Sequence, residues 1–220
     1  RRCYMEENLI TKNDLLKKLR AFMDTPNDDN ILYKQKIKNA LLSNPCLLYA
    51  INEKKLESEL FDADGNINWE LNDETGIYEP LGEWDRYFGE SSNIRPFLFI
   101  PETQTTVKHY ICYQTAFNET PRYNAIEKYM NITFTIFVHG DDSIDKLTGI
   151  PRHDLIASIL RERIQWSNIF GTQCRLVSDR ESVTDTNYLV RTLVFECTIL
   201  NSISQTHNSK TSVINNKVKV

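Results

Sequence analysis

The stretch that most constrains the fold is residues 129–200, whose pattern predicts strand, loop, helix, strand and strand in turn. Residues 130–139 and 189–200 alternate apolar with polar side chains, as half-buried β-strands do. Residues 151–166 instead carry aliphatic side chains at helical spacing, after a proline suited to a first helical position. The apolar positions are Ile132, Phe134, Ile136 and Val138; Leu155, Ile156, Ile159, Leu160 and Ile164; and Leu189, Leu193, Phe195, Cys197 and Ile199.

The energetics of this helix require that it packs against the strands. Burying its five aliphatic side chains stabilises it by roughly 1.5–3 kcal/mol each. Ordering its backbone costs roughly 1–2 kcal/mol per residue. We therefore predict an α/β (α+β) fold in which a mostly antiparallel sheet carries this main amphipathic helix on its apolar face.

Two further helices are predicted near the N-terminus. Thr11 can cap the first, with Asp14 three residues later as in a capping box. The second is expected over residues 29–42 and ends before Pro45, with a short helical turn at 46–51. The apolar face of the first helix is formed by Leu15, Leu16, Leu19, Phe22 and Met23.

The remaining strands are expected on either side of the central pattern. Residues 95–100 are bracketed by prolines, which favours an edge strand, and residues 107–117 are apolar on both faces. Residues 174–177 predict a further strand, and residues 179–187 a polar turn into the last one.

Charge is distributed unevenly along the chain, and it suggests a division into segments. Residues 53–90 hold twelve acidic and three basic side chains, a local charge of −9, so the rest of the chain, at −4 overall, carries +5. We predict a helical segment at 1–52, an acidic insertion at 53–94 with a hairpin turning at Asp64-Gly65, an α/β core at 95–200 and a flexible arm at 201–220.

No motif for catalysis or cofactor binding occurs in the sequence. Phosphate-binding glycine loops, GxSxG and HExxH are absent, and the four histidines are isolated from one another. Five widely spaced cysteines favour buried free thiols. We therefore expect no enzyme, no catalytic residue, no bound metal and no cofactor.

Two metal sites remain as alternatives to that expectation. Asp141, Asp142 and Asp145 lie in a glycine-flanked acidic loop that could hold Mg²⁺ in a nuclease-like enzyme. The spacing of Asp62, Asp64 and Asn66 matches the start of a calcium loop, but Ile67 and Asp73 depart from that pattern, which favours a plain hairpin.

Several partner classes are excluded or favoured by composition. No apolar run approaches the ~18 residues of a membrane span, and no secretory signal opens the sequence. No basic stripe interleaved with aromatic residues indicates sequence-specific DNA binding. Interface candidates are the aromatic cluster Trp84, Tyr87 and Phe88, which could equally anchor a loop on its own domain, and Val218 and Val220 of the arm, which could add a strand to a neighbouring sheet.

Residues 95–200 resemble the tail terminator, or tail-completion, proteins of the tailed-bacteriophage neck. The resemblance rests on RPFLFIPET, HYICYQ, NITFTIFVH, the helix RHDLIASILRERI, and the pair CRLVSDRES and DTNYLVRTLVFE. It implies a hexameric ring in the virion neck that caps the tail tube, contacts the tail tube protein and the head connector or stopper, and lets DNA pass without sequence-specific binding.

The same resemblance implies synthesis in the host cytoplasm and a place for Asp141, Asp142 and Asp145 at a subunit interface or the lumen. A monomeric adaptor that binds a host protein is the other alternative.

Overall fold

The computed structural model describes residues 11–21, 29–72, 77–80, 88–90, 92–101, 107–118, 127–184, 186–200, 203–205 and 211–213. Its helices are α1 (Lys12–Ala21), α2 (Asp29–Leu42), α3 (Pro45–Ala50), α4 (Lys54–Leu60) and α5 (Arg152–Ile164). Its strands are β1 (Trp69–Asn72), β2 (Ile77–Pro80), β3 (Ile94–Arg95), β4 (Tyr110–Phe117), β5 (Glu127–His139), β6 (Cys174–Val183), β7 (Tyr188–Leu200), β8 (Ile203–Gln205) and β9 (Thr211–Val213).

The central sheet has five strands in the order β3-β4-β5-β7-β6. All neighbouring pairs are antiparallel except β3 with β4, which is parallel. Thirteen residue pairs join β5 to β7 along their whole length, with Phe134 opposite Leu193. The predicted fold class is therefore confirmed.

One hydrophobic core fills the space between the sheet and the helices. β5 contributes the predicted apolar face, and β7 contributes the predicted Leu193, Phe195, Cys197 and Ile199 but not Leu189, which is half-buried. α5 contributes Ile156, Leu160 and Ile164. Leu155 and Ile159 are only partly buried against this core, so the helix is rotated slightly from the predicted face. The core also includes side chains of α2, α3 and α4, such as Leu56 and Leu60 in the predicted acidic insertion.

The N-terminal helices follow their predicted signals closely. The amide of Asp14 donates to the hydroxyl of Thr11, and the amide of Thr11 donates to the carboxylate of Asp14. α2 has the predicted bounds, and α3 begins at Pro45 because Asn44 caps it by accepting from the amide of Leu47. α4 was not predicted; it precedes the expected hairpin of residues 59–71 and overlaps it only at residues 59 and 60.

The acidic segment does turn at Asp64-Gly65. Phe61 and Ile67 form an isolated antiparallel bridge, and Gly65 has a φ of 82°, which glycine tolerates best. The carboxylate of Asp62 accepts from the amides of Asp64 and Asn66, which is a turn-forming role. A second hairpin follows, formed by β1 and β2.

The two edge strands depart most from the prediction. β3 lies at the predicted edge but is Ile94–Arg95, so the strand predicted over residues 95–100 is wrong from Pro96 onward, where proline has no N–H for pairing. β6 continues to Val183, so the predicted polar turn is wrong over Asp179–Val183. A polar sequence forms a strand there because β6 is the other edge of the sheet and most of those side chains face solvent.

The opposite face of the sheet is covered at one end by a smaller core of Tyr110, Cys112, Phe137, Tyr188 and Val190, with Phe99 packed against it. This core explains why residues 107–117 are apolar on both faces. Four cysteines lie in the described part of the chain: Cys112, Cys174 and Cys197 are buried free thiols, as predicted, whereas Cys46 is a free thiol that is exposed. Burial raises the pKa of Cys112 to about 11. The arm contains a small hairpin of β8 and β9, so it is not without regular structure.

A candidate interface loop anchored by a buried arginine

The candidate site is the segment that joins β5 to α5, residues 140–151, called here the interface loop. It opens with a single 3-10 turn, Gly140–Asp142, in which the ring of His139 accepts from the amide of Asp141. Gly140 packs so closely against Asn187 that a Cβ there would lie 2.4 Å from the Asn187 side-chain oxygen. Gly149 has a φ of 71°. A side chain at position 140 would therefore displace Asn187, and the positive φ at position 149 favours glycine.

Arg152, the first residue of α5, holds the loop from inside the molecule. Its side chain is 3 % exposed, and its guanidinium donates to the two carboxylates of Asp142 and Asp145, at 3.1 and 3.4 Å. It also donates to the backbone oxygens of Asp142 and Ala50. A buried charge is stable only when it is paired in this way.

His109 completes the cluster from the residues that precede β4. Its Nε2 lies 3.0 Å from the carboxylate of Asp142, and its Nδ1 accepts from the amide of His139. An accepting Nδ1 requires the neutral ring, so Nε2 carries the proton and donates it to Asp142. Burial lowers the pKa of His109, and the nearby charge of Arg152 lowers it further.

The two aspartates are held in their charged forms by these neighbours. Burial acts to raise the pKa of Asp142, but hydrogen bonds from His109 and Asn52, together with the charge of Arg152, leave it below its usual value. Burial likewise acts to raise the pKa of Asp145, yet hydrogen bonds from Thr148 and the charge of Arg152 lower that pKa below its usual value. We call the five residues Asn52, His109, Asp142, Asp145 and Arg152 the Arg152 cluster.

The anchored loop turns apolar side chains toward solvent. The backbone amide of Asp145 donates to the oxygen of Ile150, and the amide and hydroxyl of Thr148 donate to the Asp145 carboxylate, which closes a compact turn. Outside that turn, Ile144, Leu147 and Ile150 are 56 %, 79 % and 43 % exposed. The loop thus presents a fixed patch of three aliphatic residues.

The structure separates the three aspartates that the sequence placed together. Asp141 is exposed at the surface, whereas the carboxylates of Asp142 and Asp145 point inward to Arg152. Arg152 and His109 were missed as their partners. One signal was available, because a basic side chain in the first turn of a helix is disfavoured by the helix dipole and so indicates a specific acidic partner.

Phe88 packs within its own chain. It forms a parallel bridge with Ile94, and its ring lies 6.2 Å from that of Tyr113, centroid to centroid. Trp84 and Tyr87, the other members of the predicted aromatic cluster, lie outside the described residues, as do Val218 and Val220. For Phe88, therefore, the anchoring interpretation describes its contacts.

A second set of charges lies on the sheet side of α5 and is called here the Arg191 cluster. Arg191 binds both carboxylate oxygens of Asp179, at 2.8 and 3.0 Å, and also contacts Asp154. Arg161 lies 3.3 Å from Asp179. These pairs fix the helix against β6 and β7 at a partly exposed surface.

Neither cluster has the arrangement of a metal or membrane site. Within the described ranges, no group of three His, Cys, Asp or Glu side chains could hold a metal ion. The same part of the chain contains no helix long and apolar enough to cross a bilayer. The exposed feature of the site is its set of three aliphatic side chains, Ile144, Leu147 and Ile150.

Comparison with known proteins gives one family. The YomW family model matches residues 11–197, a range that includes the interface loop and both charged clusters. No curated protein matches the chain.

Proposed function

We propose that this chain, which belongs to the YomW family and is a phage-associated protein, is a structural protein of the virion neck. In this role it is a tail terminator that assembles into a hexameric ring on the tail tube. The ring ends tube growth, contacts the head connector or stopper protein, and lets DNA pass through its lumen.

The observation that carries this proposal is the anchored interface loop. Exposed aliphatic side chains on a segment fixed by buried ion pairs form a preorganised surface, and such surfaces mark contacts with other proteins. A ring requires such a surface on every copy. We assign Ile144, Leu147 and Ile150 to the contact between neighbouring subunits.

Charge supports the passage of DNA without binding. The carboxylate of Asp141 is exposed on this loop, and residues 73–90 hold six acidic side chains and one basic side chain, a charge of −5. Acidic groups facing a lumen repel the phosphate backbone and discourage the duplex from adhering. Lumen lining by Asp142 and Asp145 is not part of the proposal, because their carboxylates bind Arg152 within the subunit.

The proposed role is structural and needs no catalysis. The Mg²⁺ nuclease alternative requires Asp142 and Asp145 to be available to a cation, and their contacts with Arg152, His109 and Thr148 give it no support. The contacts of the described residues likewise offer no observation that favours a monomeric host-binding adaptor.

The test is deletion of the gene from the phage that carries it. We expect mature heads and separate tails that do not join, with tails of irregular length, and restoration of joined particles by the wild-type chain supplied in trans. Purified particles should contain the chain in a fixed stoichiometry. Normal joined particles from the deletion phage, or particles that lack the chain, would contradict the proposal.

A further inference from the structure

Helix α1 is well formed, but none of the described residues covers it. Reciprocal hydrogen bonds between Thr11 and Asp14 cap it, yet every residue from 12 to 20 is exposed. Its apolar face consists of Leu15, Leu16 and Leu19, which are 51 %, 40 % and 54 % exposed. A ten-residue helix is shorter than the ~12–15 residues at which isolated helices become even marginally stable. A capped helix this short with three exposed leucines needs a surface to pack against.

The net charge of α1 predicts the chemical character of the surface that would cover it. The helix has one acidic residue, Asp14, and four basic residues, so its net charge is +3; the basic residues are Lys12, Lys17, Lys18 and Arg20. A partner that covers its leucines should therefore combine exposed apolar side chains with negative charge.

The same chain displays such a surface around the Asp64-Gly65 turn. The rings of Tyr49 and Phe61 lie 6.1 Å apart, and Phe61 is paired across the bridge with Ile67. Tyr49 and Ile67 are exposed, and this apolar strip is bordered by the exposed acidic residues Glu57 and Asp64. Residues 53–72 hold six acidic and two basic side chains, a charge of −4. We call Tyr49, Phe61, Ile67 and their acidic neighbours the acidic surface.

We propose that α1 of one copy binds the acidic surface of a neighbouring copy. The inference rests on the proposed function, because it supplies a contact between subunits of the ring. The helix and the acidic surface are different patches, so their contact is head-to-tail, and contacts of that kind close into rings when the rotation permits. Each copy contributes one helix and one acidic surface, so every helix in a closed ring is covered.

Two variants with exchanged charge test this contact. Variant one carries Lys17→Glu, Lys18→Glu and Arg20→Glu, which changes the helix from +3 to −3. Variant two carries Glu57→Lys, Ala63→Lys and Asp64→Lys, which changes residues 53–72 from −4 to +1. All six positions are exposed, so the free energy of unfolding of each variant should stay within about 0.5 kcal/mol of the wild type.

The readout is the mass of the assembly in solution, measured alone and in an equal mixture of the two variants. Each variant alone pairs like charges and should self-associate at least about tenfold more weakly than the wild type. The mixture pairs each acidic helix with a basic surface and each basic helix with an acidic one. It should restore assemblies that contain the two variants in equal numbers.

Each other outcome decides the question. If both variants assemble as the wild type does, α1 does not bind this surface, while the ring itself stands. If each variant assembles poorly and mixing restores nothing, the helix binds elsewhere, on its own chain or on another protein, and the inference is wrong. A wild-type chain that is monomeric in solution and also within particles would contradict the proposed function itself.

Discussion

Arg152 and Arg191 each bind two aspartates beside helix α5, but their surroundings differ. The side chain of Arg152 is 3 % exposed and also reaches two backbone oxygens, whereas that of Arg191, on β7 beside the edge strand β6, is 21 % exposed. Without Arg152, the carboxylates of Asp142 and Asp145, 15 % and 12 % exposed, lose the only cation that contacts them in the described part of the chain. Without Arg191, Asp154 is 35 % exposed and can be hydrated, and Asp179 keeps its contact with Arg161. Equal numbers of ion pairs therefore do not mean equal contributions to stability.

The largest expected effect is that of Arg152→Ala. The substitution leaves Asp142 and Asp145 buried without a cation, so we expect a loss of about 3–5 kcal/mol in the free energy of unfolding, measured by urea denaturation. Arg180→Ala, at an exposed position on β6, is the matched control and should cost no more than about 0.5 kcal/mol. Similar midpoints for the two variants would mean that the Arg152 cluster is hydrated.

The dependence on pH should also distinguish the clusters. Burial holds the pKa of His109 below its unfolded value of 6.5, so its contribution to stability is present above that pH and is lost as pH falls through the folded pKa. Asp142, Asp145 and Asp179 have lowered pKa values, and their contributions should be lost only as pH falls below about 3.8.

Unfolding curves measured between pH 7 and pH 3 check this order. The loss of stability below about pH 6.5 should be reduced in His109→Gln, whereas the loss in strong acid should remain. An unchanged profile in the His109 variant would assign the first loss to another group.

These two clusters also show how far the sequence could predict the structure. The paired strands β5 and β7, the bounds of α2 and the position of α5 follow from local signals: alternation, caps, prolines and helical spacing. Arg152 contacts residues 50, 142 and 145, and His109 contacts Asp142; only the folded sheet brings residue 109 beside residue 142. Pairing of single polar residues leaves no periodic pattern, so the alternation and helical spacing that predicted the strands and helices did not predict this cluster.

The same reasoning explains the errors at the edge of the sheet and in the acidic segment. Apolar and polar residues alternate in a strand because one of its faces is buried. The residues of β6 that follow Leu176 are mostly exposed and polar, so their sequence resembles that of a turn. α4 was missed because its two buried leucines, Leu56 and Leu60, lie within a run of charged residues that was assigned to an acidic insertion.

A smaller effect is expected at Arg191. Arg191→Ala removes a bidentate contact with Asp179 at a partly exposed position, and the expected loss is about 1 kcal/mol. Because exposed ion pairs are screened by salt, the difference from the wild type should shrink in about 1 M NaCl. The loss of stability caused by Arg152→Ala should persist at that salt concentration. If salt reduced the loss equally in both variants, the two clusters would not differ.

The smallest effect on stability, and the most informative for function, is expected at Leu147. Its side chain is 79 % exposed at the tip of the interface loop, so Leu147→Ser removes little buried area and should change the free energy of unfolding by no more than about 0.5 kcal/mol. The Arg152 cluster stays intact in this variant and holds the loop in place. We nevertheless expect weaker assembly and fewer joined particles, because the serine removes an apolar side chain from the proposed contact. Tyr129→Thr, at an exposed apolar position on β5 outside the loop, is the control and should assemble normally. Wild-type assembly in Leu147→Ser would mean that the Arg152 cluster anchors the loop for the stability of the subunit alone.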